Sequence, residues 1–504
     1  MGKESGDYTF AMIDNSLFEV AQVRALERAA IATHGLSERE LMGRAGRAAF
    51  EVLRARWPQA RRILALCGTG NNGGDGYVLA RIAHEAGLDA CVLALAPPRH
   101  ESEAARACAD WRAVGGRVLS GQENWPEADV HVDALFGIGL ARPPDGLARE
   151  WIEKLNTATL PVLALDVPSG LDPDTGYAAA ASVRATVTVT FIVDKPGLHT
   201  GSAAEHVGEI VVASLGLPAE LPANVRANAY LLDLEDIELW LPKRARDGHK
   251  GRYGHVLAIG GDVGMGGAIR LAGEAALRVG AGRVSVATRP EHILALNSAR
   301  PELMAHAIDG IQELAPLLDR ASIVALGPGL GQRAWGHALW HAAIVAGKPL
   351  VLDADGLNLL SRFALPLPMQ TVMTPHPGEA ARLLGTDVES IARNRFTAAR
   401  DLARRYRAVV VLKGAGTLIA NEQGDVAVCP WGNPGMASAG MGDVLTGIVA
   451  GLLAQGLDAW QAACVGVALH ARAGDRAARD GEAGLIASDL FSPLRRLRNH
   501  LGEA

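Results

Sequence analysis

The chain's 504 residues exceed what one hydrophobic core organises, so two or more domains are expected. Its net charge of −6 at pH 7 argues against nucleic acid as a partner, and no uncharged apolar stretch is long enough for a membrane span. Hydrophobic residues at 49%, 58 glycines and only 5% aromatics suit alanine- and glycine-rich α/β layers, while five scattered cysteines without a C-x-x-C pair suit the reduced thiols of a cytoplasmic protein.

The opening Met1-Gly-Lys-Glu-Ser-Gly6 is charged and lacks an apolar centre, so no signal peptide is expected, and Gly6 breaks the myristoylation pattern. From there short apolar runs alternate with amphipathic stretches, the pattern of βαβ units in a parallel sheet. The first half places strands at 63–67, 90–95, 130–134, 161–166, 185–191 and 209–213. The first strand runs into Gly68-Thr-Gly-Asn-Asn-Gly-Gly-Asp-Gly76, ahead of a helix predicted over 77–86. Glycine at five of these nine positions lets a ligand approach the backbone, and the helix behind offers its N–H end to an anion. Asn71, Asn72 and Asp75 add side-chain oxygens, which suit a hard cation; the plainer alternative is an Asx-rich turn that satisfies itself.

Two more loops leave strand ends on the same sheet edge, Val132-Asp-Ala-Leu-Phe-Gly-Ile-Gly-Leu140 and Leu165-Asp-Val-Pro-Ser-Gly-Leu171. Each carries an aspartate, Asp133 or Asp166, where open parallel sheets bind their ligands. One such aspartate reads as a cap, but two opposite a glycine-rich loop define a pocket. Lys195, in Asp194-Lys-Pro-Gly197, is either a fourth member of that pocket or an ordinary surface lysine.

Residues 215–230 turn proline-rich and lose periodicity, which divides the chain into domains 1–225 and 226–504. The basic residues Lys243, Arg244, Arg246, Lys250 and Arg252 that follow read as a solvated linker. A second series of strands is predicted at 255–259, 283–287, 322–326, 350–353, 371–374, 409–412 and 426–429. Four of them run into Gly260-Gly-Asp-Val-Gly-Met-Gly-Gly267, Gly327-Pro-Gly-Leu-Gly331, Ala354-Asp-Gly-Leu-Asn358 and Pro375-His-Pro-Gly-Glu379. Lys413-Gly-Ala-Gly-Thr417 then supplies N–H groups and a cation suited to nucleotide phosphates. The two series share no repeat, so the expected fold is two different three-layer α/β/α domains.

Asp443, in Ser438-Ala-Gly-Met-Gly-Asp-Val-Leu-Thr446, closes a glycine-rich turn and opens an apolar helix. Uncovered N–H groups at Gly440 and Gly442 make an anion site, and a carboxylate beside one is placed to take a proton during phosphoryl transfer. The alternative is a helix N-cap in a tightly packed turn.

Leu41-Met-Gly-Arg-Ala-Gly-Arg-Ala48, Gly70-Asn-Asn-Gly-Gly-Asp-Gly76, Asp133-Ala-Leu-Phe-Gly-Ile-Gly139 and Asp166-Val-Pro-Ser-Gly170 together resemble the NAD(P)H-hydrate epimerase family across the first half. The resemblance implies a Rossmann-like sheet, bound K⁺, and epimerisation of hydrated nicotinamide cofactor. It implies that Asn72, Asp133 and Ser169 hold potassium. Substrate contacts are implied for Asn71, Asn72, Gly73, Gly74 and Asp75, for Gly137, Ile138, Gly139, Leu140, Ala141, Arg142 and Pro143, and for Asp166. The proton donor and acceptor is taken to be Asp166, with Lys195 as a helper. Gly43 and Ile138 depart from the family at positions of looser choice.

From about residue 230 onward the motifs resemble the ribokinase-like superfamily, in detail its ADP/ATP-dependent NAD(P)H-hydrate dehydratase branch. Met441 stands where sugar kinases use alanine, which favours that branch. The resemblance implies that Ala268, Gly329, His376 and Asp443 contact the hydrated substrate. It gives Lys413, Gly414, Ala415, Gly416, Thr417 and Gly442 to the nucleotide, with Asp443 as catalytic base. Glu379 is assigned to Mg²⁺ through water. The expected substrates are therefore NADHX, NADPHX and ADP or ATP, handled by a homo-oligomer without nucleic-acid or membrane partners. A small-molecule kinase with an accessory binding domain, and a first half that serves only as a docking scaffold, are the competing readings.

Overall fold

The alternating faces of a strand account for the first layer of structure in this computed structural model, which describes residues 15–120, 124–140, 142–223, 225–241 and 243–501. Along Arg62–Cys67, Ile63, Ala65 and Cys67 enter one buried cluster while Leu64 and Leu66 enter another, so apolar cores cover both faces of the sheet. That continuous burial is why the strand reads as an unbroken apolar run. The opening residues 1–14 and Ala141, both given readings above, lie outside the described residues.

The chain separates into two units, dividing between Tyr230 and Leu231; the sequence boundary was set at 225/226. The first unit holds a seven-stranded sheet, all of its strands with parallel neighbours, in the order Arg117–Ser120, Asp89–Ala94, Arg62–Cys67, Val130–Ala134, Val162–Leu165, Val187–Phe191, Glu209–Ala213. Strand order reverses between Arg62–Cys67 and Val130–Ala134, the point at whose carboxyl ends open parallel sheets form their ligand crevice. The glycine-rich loop and the Asp133 loop flank that point.

In the second unit the strands run Val426–Val428, Leu418–Ala420, Val409–Leu412, Thr371–Met373, Leu350–Leu352, Ile323–Leu326, His255–Ile259, Arg283–Thr288, Met304–Ala307. Val426–Val428 had been read as one more strand of a parallel sheet. It is antiparallel to Leu418–Ala420, itself antiparallel to Val409–Leu412. Lys413 to Thr417 is too short for a helical crossover and can only turn the chain back. The sequence reading also passed over Arg117–Ser120, Met304–Ala307, Leu418–Ala420 and Ser16–Leu17, which pairs with Ala229 and Tyr230.

Asp443 is held in place by close helix packing. Helix Met441–Ala454 lies on helix Gly266–Val279 through small residues: a Cβ at Gly447 would stand 2.0 Å from the Ala272 carbonyl oxygen, and one at Gly451 would stand 2.4 Å from Val279 Cγ1. Only glycine permits backbones to come this near.

Two candidate active sites

In the first unit the helix begins at Asn71, six residues before the predicted start at Tyr77, so residues 71–76 form its opening turns. Glycine explains the early start, since a Cβ at Gly73 would stand 2.0 Å from the Gly68 carbonyl oxygen. Asn72 and Asp75 are thereby buried. Both amide atoms of Asn72 are buried without a hydrogen-bond partner. A Cβ on Gly137 would lie 3.0 Å from Asp166 Oδ2 and 3.3 Å from Asn72 Oδ1, which brings the three loops to one point.

Asp133 accepts from the Ser169 hydroxyl at 2.6 Å and the Ser169 amide at 2.8 Å, and burial raises its carboxyl to about 6 against those hydrogen bonds. An orphaned amide oxygen, a desolvated carboxylate and a hydroxyl make an all-oxygen donor set, which fits a hard monovalent cation. Among the described residues, no three His, Cys, Asp or Glu side chains are grouped to hold a metal.

Asp166 has a left-handed backbone, φ 65°, at the end of its strand. It accepts from the Ile138 amide at 3.2 Å, so it reaches the loop expected to cover the substrate. Lys195 is fully buried and is not a surface lysine. Its ammonium lies 2.9 Å from Asp166 Oδ1 and also donates to Thr190 Oγ1 and the carbonyls of Phe191 and Val193. Lys195 is thus paired with Asp166 and tied to the backbone around it. Burial, reinforced by the charges of Asp166 and Glu27, drives the Asp75 carboxyl well above the usual range. Glu27 itself is raised by burial and by Asp166. The sequence reading missed it; a single glutamate on helix Val20–His34 carries no motif.

In the second unit Asp443 lies in the first turn of helix Met441–Ala454, as the sequence placed it. Beside it the Lys413 ammonium sits 2.8 Å from Asp353 Oδ1 and 3.9 Å from Glu379 Oε2. Thr446 donates to the other Asp353 oxygen at 2.8 Å. A Cβ on Gly442 would stand 3.2 Å from the Lys413 ammonium, so the glycine turn, the lysine and the carboxylates share one site. Burial, and then the charge of Asp353, raises Asp443 to about 7 despite Lys413. Glu379 rises to about 7, chiefly by burial. Burial pulls Lys413 down, but Asp353, Glu379 and Asp443 more than offset it and hold the ammonium protonated.

His376 caps helix Pro377–Leu384, accepting from the Gly378 amide, while its own amide donates to Glu379 Oε2 at 2.8 Å. Gly329 meets Ala268, with 3.3 Å between a Cβ built on the glycine and the alanine Cβ. Asp353 and Arg395 were passed over as site residues. Asp353 read only as a strand end. Arg395 is buried and donates to the carbonyls of Leu412 and Lys413, which shapes the start of the Lys413 loop.

The fold and these two polar clusters are those of a two-domain enzyme with a Rossmann-like unit followed by a ribokinase-like unit. Residues 38–197 match the family profile described as YjeF-related protein N-terminus, and residues 256–496 match the profile described as NAD(P)H-hydrate dehydratase. The bifunctional NAD(P)H-hydrate repair enzyme of Coxiella burnetii is 49% identical over 96% of this chain and 99% of its own length. The ADP/ATP-dependent NAD(P)H-hydrate dehydratase of Bacillus subtilis, co-crystallised with ATP/Mg²⁺, is 30% identical with a TM-score of 0.50, covering 54% of this chain and 98% of that one. A ribokinase-like superfamily protein of Enterococcus faecalis is 28% identical, with a TM-score of 0.51 over 54% of this chain and 96% of its own. This chain belongs to the bifunctional NAD(P)H-hydrate repair enzymes. The small-molecule kinase reading gives way to that finding.

Proposed function

We propose that the N-terminal unit interconverts the R and S epimers of NADHX and NADPHX, and that the C-terminal unit dehydrates the S form at the expense of ADP or ATP. The hydroxyl-bearing ring carbon is bonded to nitrogen, so water can leave through an iminium ion and return on the other face. Asp75, buried beside Asp166 and Glu27, hands a proton to the departing hydroxyl, and Asp166 takes one from the returning water. Lys195 holds Asp166 at the angle this requires. Asn71, Gly73, Gly74, Gly137, Ile138, Gly139, Leu140, Arg142 and Pro143 contact the ring. Potassium would be held by Asn72, Asp133 and Ser169 and would supply a fixed positive charge that orders these loops.

Hydroxide leaves poorly and phosphate leaves well. Asp443 therefore takes the hydroxyl proton as the oxygen attacks the terminal phosphorus, and the bond from phosphorus to the nucleotide oxygen breaks. The ring nitrogen's electron pair then expels phosphate, and loss of a ring proton restores the dihydronicotinamide. Amides around Gly440 to Gly442 stabilise the moving phosphoryl group, and Lys413 with the loop to Thr417 holds the nucleotide. Magnesium would arrive on the phosphates and need few protein ligands, with Glu379 reaching it through water.

The observation that carries this reading is the cluster of Asp443, Asp353 and Lys413 at the mouth of helix Met441–Ala454. No helix among the described residues is long and apolar enough to cross a membrane, and all five cysteines are free and buried, which supports a cytoplasmic place. A homo-oligomer is part of the same proposal and is checked by sedimentation. Incubation with ADP or ATP and hydrated NADH should restore the absorbance of NADH with one nucleotide consumed per turnover. A stable phosphorylated product would overturn the dehydratase assignment.

A further inference from the structure

A recess of about 790 Å³ in the second unit is lined from both helix Gly266–Val279 and helix Phe491–Leu497. Five arginines, Arg270, Arg278, Arg300, Arg495 and Arg496, face one carboxylate within the recess, Glu274, and Glu302 beside it reaches Arg300 at 4.0 Å, which leaves three positive charges uncompensated in a chain of net charge −6. The buried Glu274 is already committed. Arg278 reaches its Oε1 at 3.1 Å and Arg300 reaches the same oxygen at 2.5 Å. Arg300 Nε is buried without a hydrogen-bond partner. Among the described residues, Arg270, Arg495 and Arg496 have no carboxylate within ion-pair distance.

Guanidinium groups pair in a fork with phosphate oxygens, and a concave wall of one charge concentrates the field. A single phosphate would fill little of this volume. A neighbouring recess of about 770 Å³ shares Glu274, Arg278, Arg300 and Arg495 and adds Lys243, Arg244 and Arg498 against Glu238 and Glu302, so a weaker excess of positive charge continues along the trough. Lys243 and Arg244, two of the five linker residues read as solvated, are exposed along it. Arg270, Glu274 and Arg278 recur at every fourth residue and share one helix face, whereas Ala272, Ala276 and Val279 on the opposite face receive helix Met441–Ala454. No residue lining the recess belongs to the Asp443 cluster, although the Gly440 turn meets Leu271 and Ala487, the chain neighbours of Arg270 and Ser488.

We propose that this recess is a second anion site that binds a ligand carrying two or more linked phosphates, whether a nucleotide or an inorganic chain. The test is calorimetric titration of the full chain with tripolyphosphate in low-salt, magnesium-free buffer. The wild type is compared with an Arg495→Glu/Arg496→Glu variant, whose sites are exposed and outside the catalytic machinery. The variant should bind at least about tenfold more weakly, as expected for losing charge-assisted contacts, with an unchanged melting temperature. Arg270→Gln, on the other wall, should weaken binding in the same direction.

If ADP loses the same factor in the variant, the ligand is a nucleotide; if only tripolyphosphate does, it is an inorganic chain. Identical wild-type and variant isotherms would return all binding to the Lys413 site and overturn the proposal. So would orthophosphate binding as tightly as tripolyphosphate. Absence of heat in the wild type, with a sedimentation change in the variant, would also overturn it and give this face to a second copy of the chain.

Discussion

Lys413 Nζ and Asp353 Oδ1 stand 2.8 Å apart, and Asp443 lies beside this pair without an ion-pair partner of its own among the described residues. Burial and the Asp353 charge together bring the Asp443 carboxyl to about 7. A base must be ionised to work, so kcat/KM for dehydration should fall as pH drops below about 7. The limb belongs to the coupled cluster that includes Glu379. Asp353→Asn removes the repelling charge and leaves Lys413 nearer to Asp443 alone, so the limb should move to lower pH. An unmoved limb in that variant would remove Asp353 from the electrostatics of the base.

Asp443→Asn should keep nucleotide affinity within a few fold and lose roughly 10²- to 10⁴-fold in turnover, the range for a general base. Stability should run the other way. A carboxyl raised from 3.8 to about 7 on folding favours the folded state at low pH and loses that contribution as pH rises through about 7. The melting temperature of Asp443→Asn relative to wild type should therefore climb across that window. Denaturation scans at several pH values check the sign.

Lys195→Met leaves Asp166 buried without its cation. Breaking a buried pair from one side costs about 3–5 kcal/mol, so the variant should unfold at markedly lower denaturant and lose epimer exchange together. An epimerase with normal stability and rate after this change would show that Asp166 needs no such support.

Potassium should raise the melting temperature of the wild-type N-terminal transition relative to choline at equal ionic strength. Asn72→Ala should abolish the difference, since its orphaned oxygen is the donor most in need of a cation. A potassium effect of undiminished size in Asn72→Ala would move the ion elsewhere.

Gly447→Ala drives a Cβ into the Ala272 carbonyl and should destabilise the second unit by about 1–3 kcal/mol or more. Dehydration should fall as helix Met441–Ala454 lifts, while epimer exchange persists. Loss of both activities would show that the units do not work independently.

The strands legible in the sequence are those buried on both faces, such as Arg62–Cys67 and His255–Ile259, because continuous burial writes a continuous apolar run. Met304–Ala307 is half exposed at the sheet edge, and Leu418–Ala420 is three residues long, so neither writes that signal. Glycine-rich loops and strand-end aspartates marked the candidate sites because they break the periodicity around them. The pairing of Asp353 with Lys413 spans 60 residues, and that with Thr446 spans 93. No local pattern encodes such a meeting. Burial likewise separated Lys195 from the many lysines that sit in water.

Ala354 is a non-glycine residue at φ 47° and ψ −119°, between Asp353, which grips Lys413, and Asp355, which accepts from the Gly331 amide. Its twisted peptide aims two consecutive carboxylates at two different loops. Selection for heat resistance alone would favour glycine there, relaxing a torsion that disfavours folding by about 1–3 kcal/mol. The methyl group of Ala354 narrows the torsions open to the link between the two carboxylates, which stiffens that link at the expense of stability.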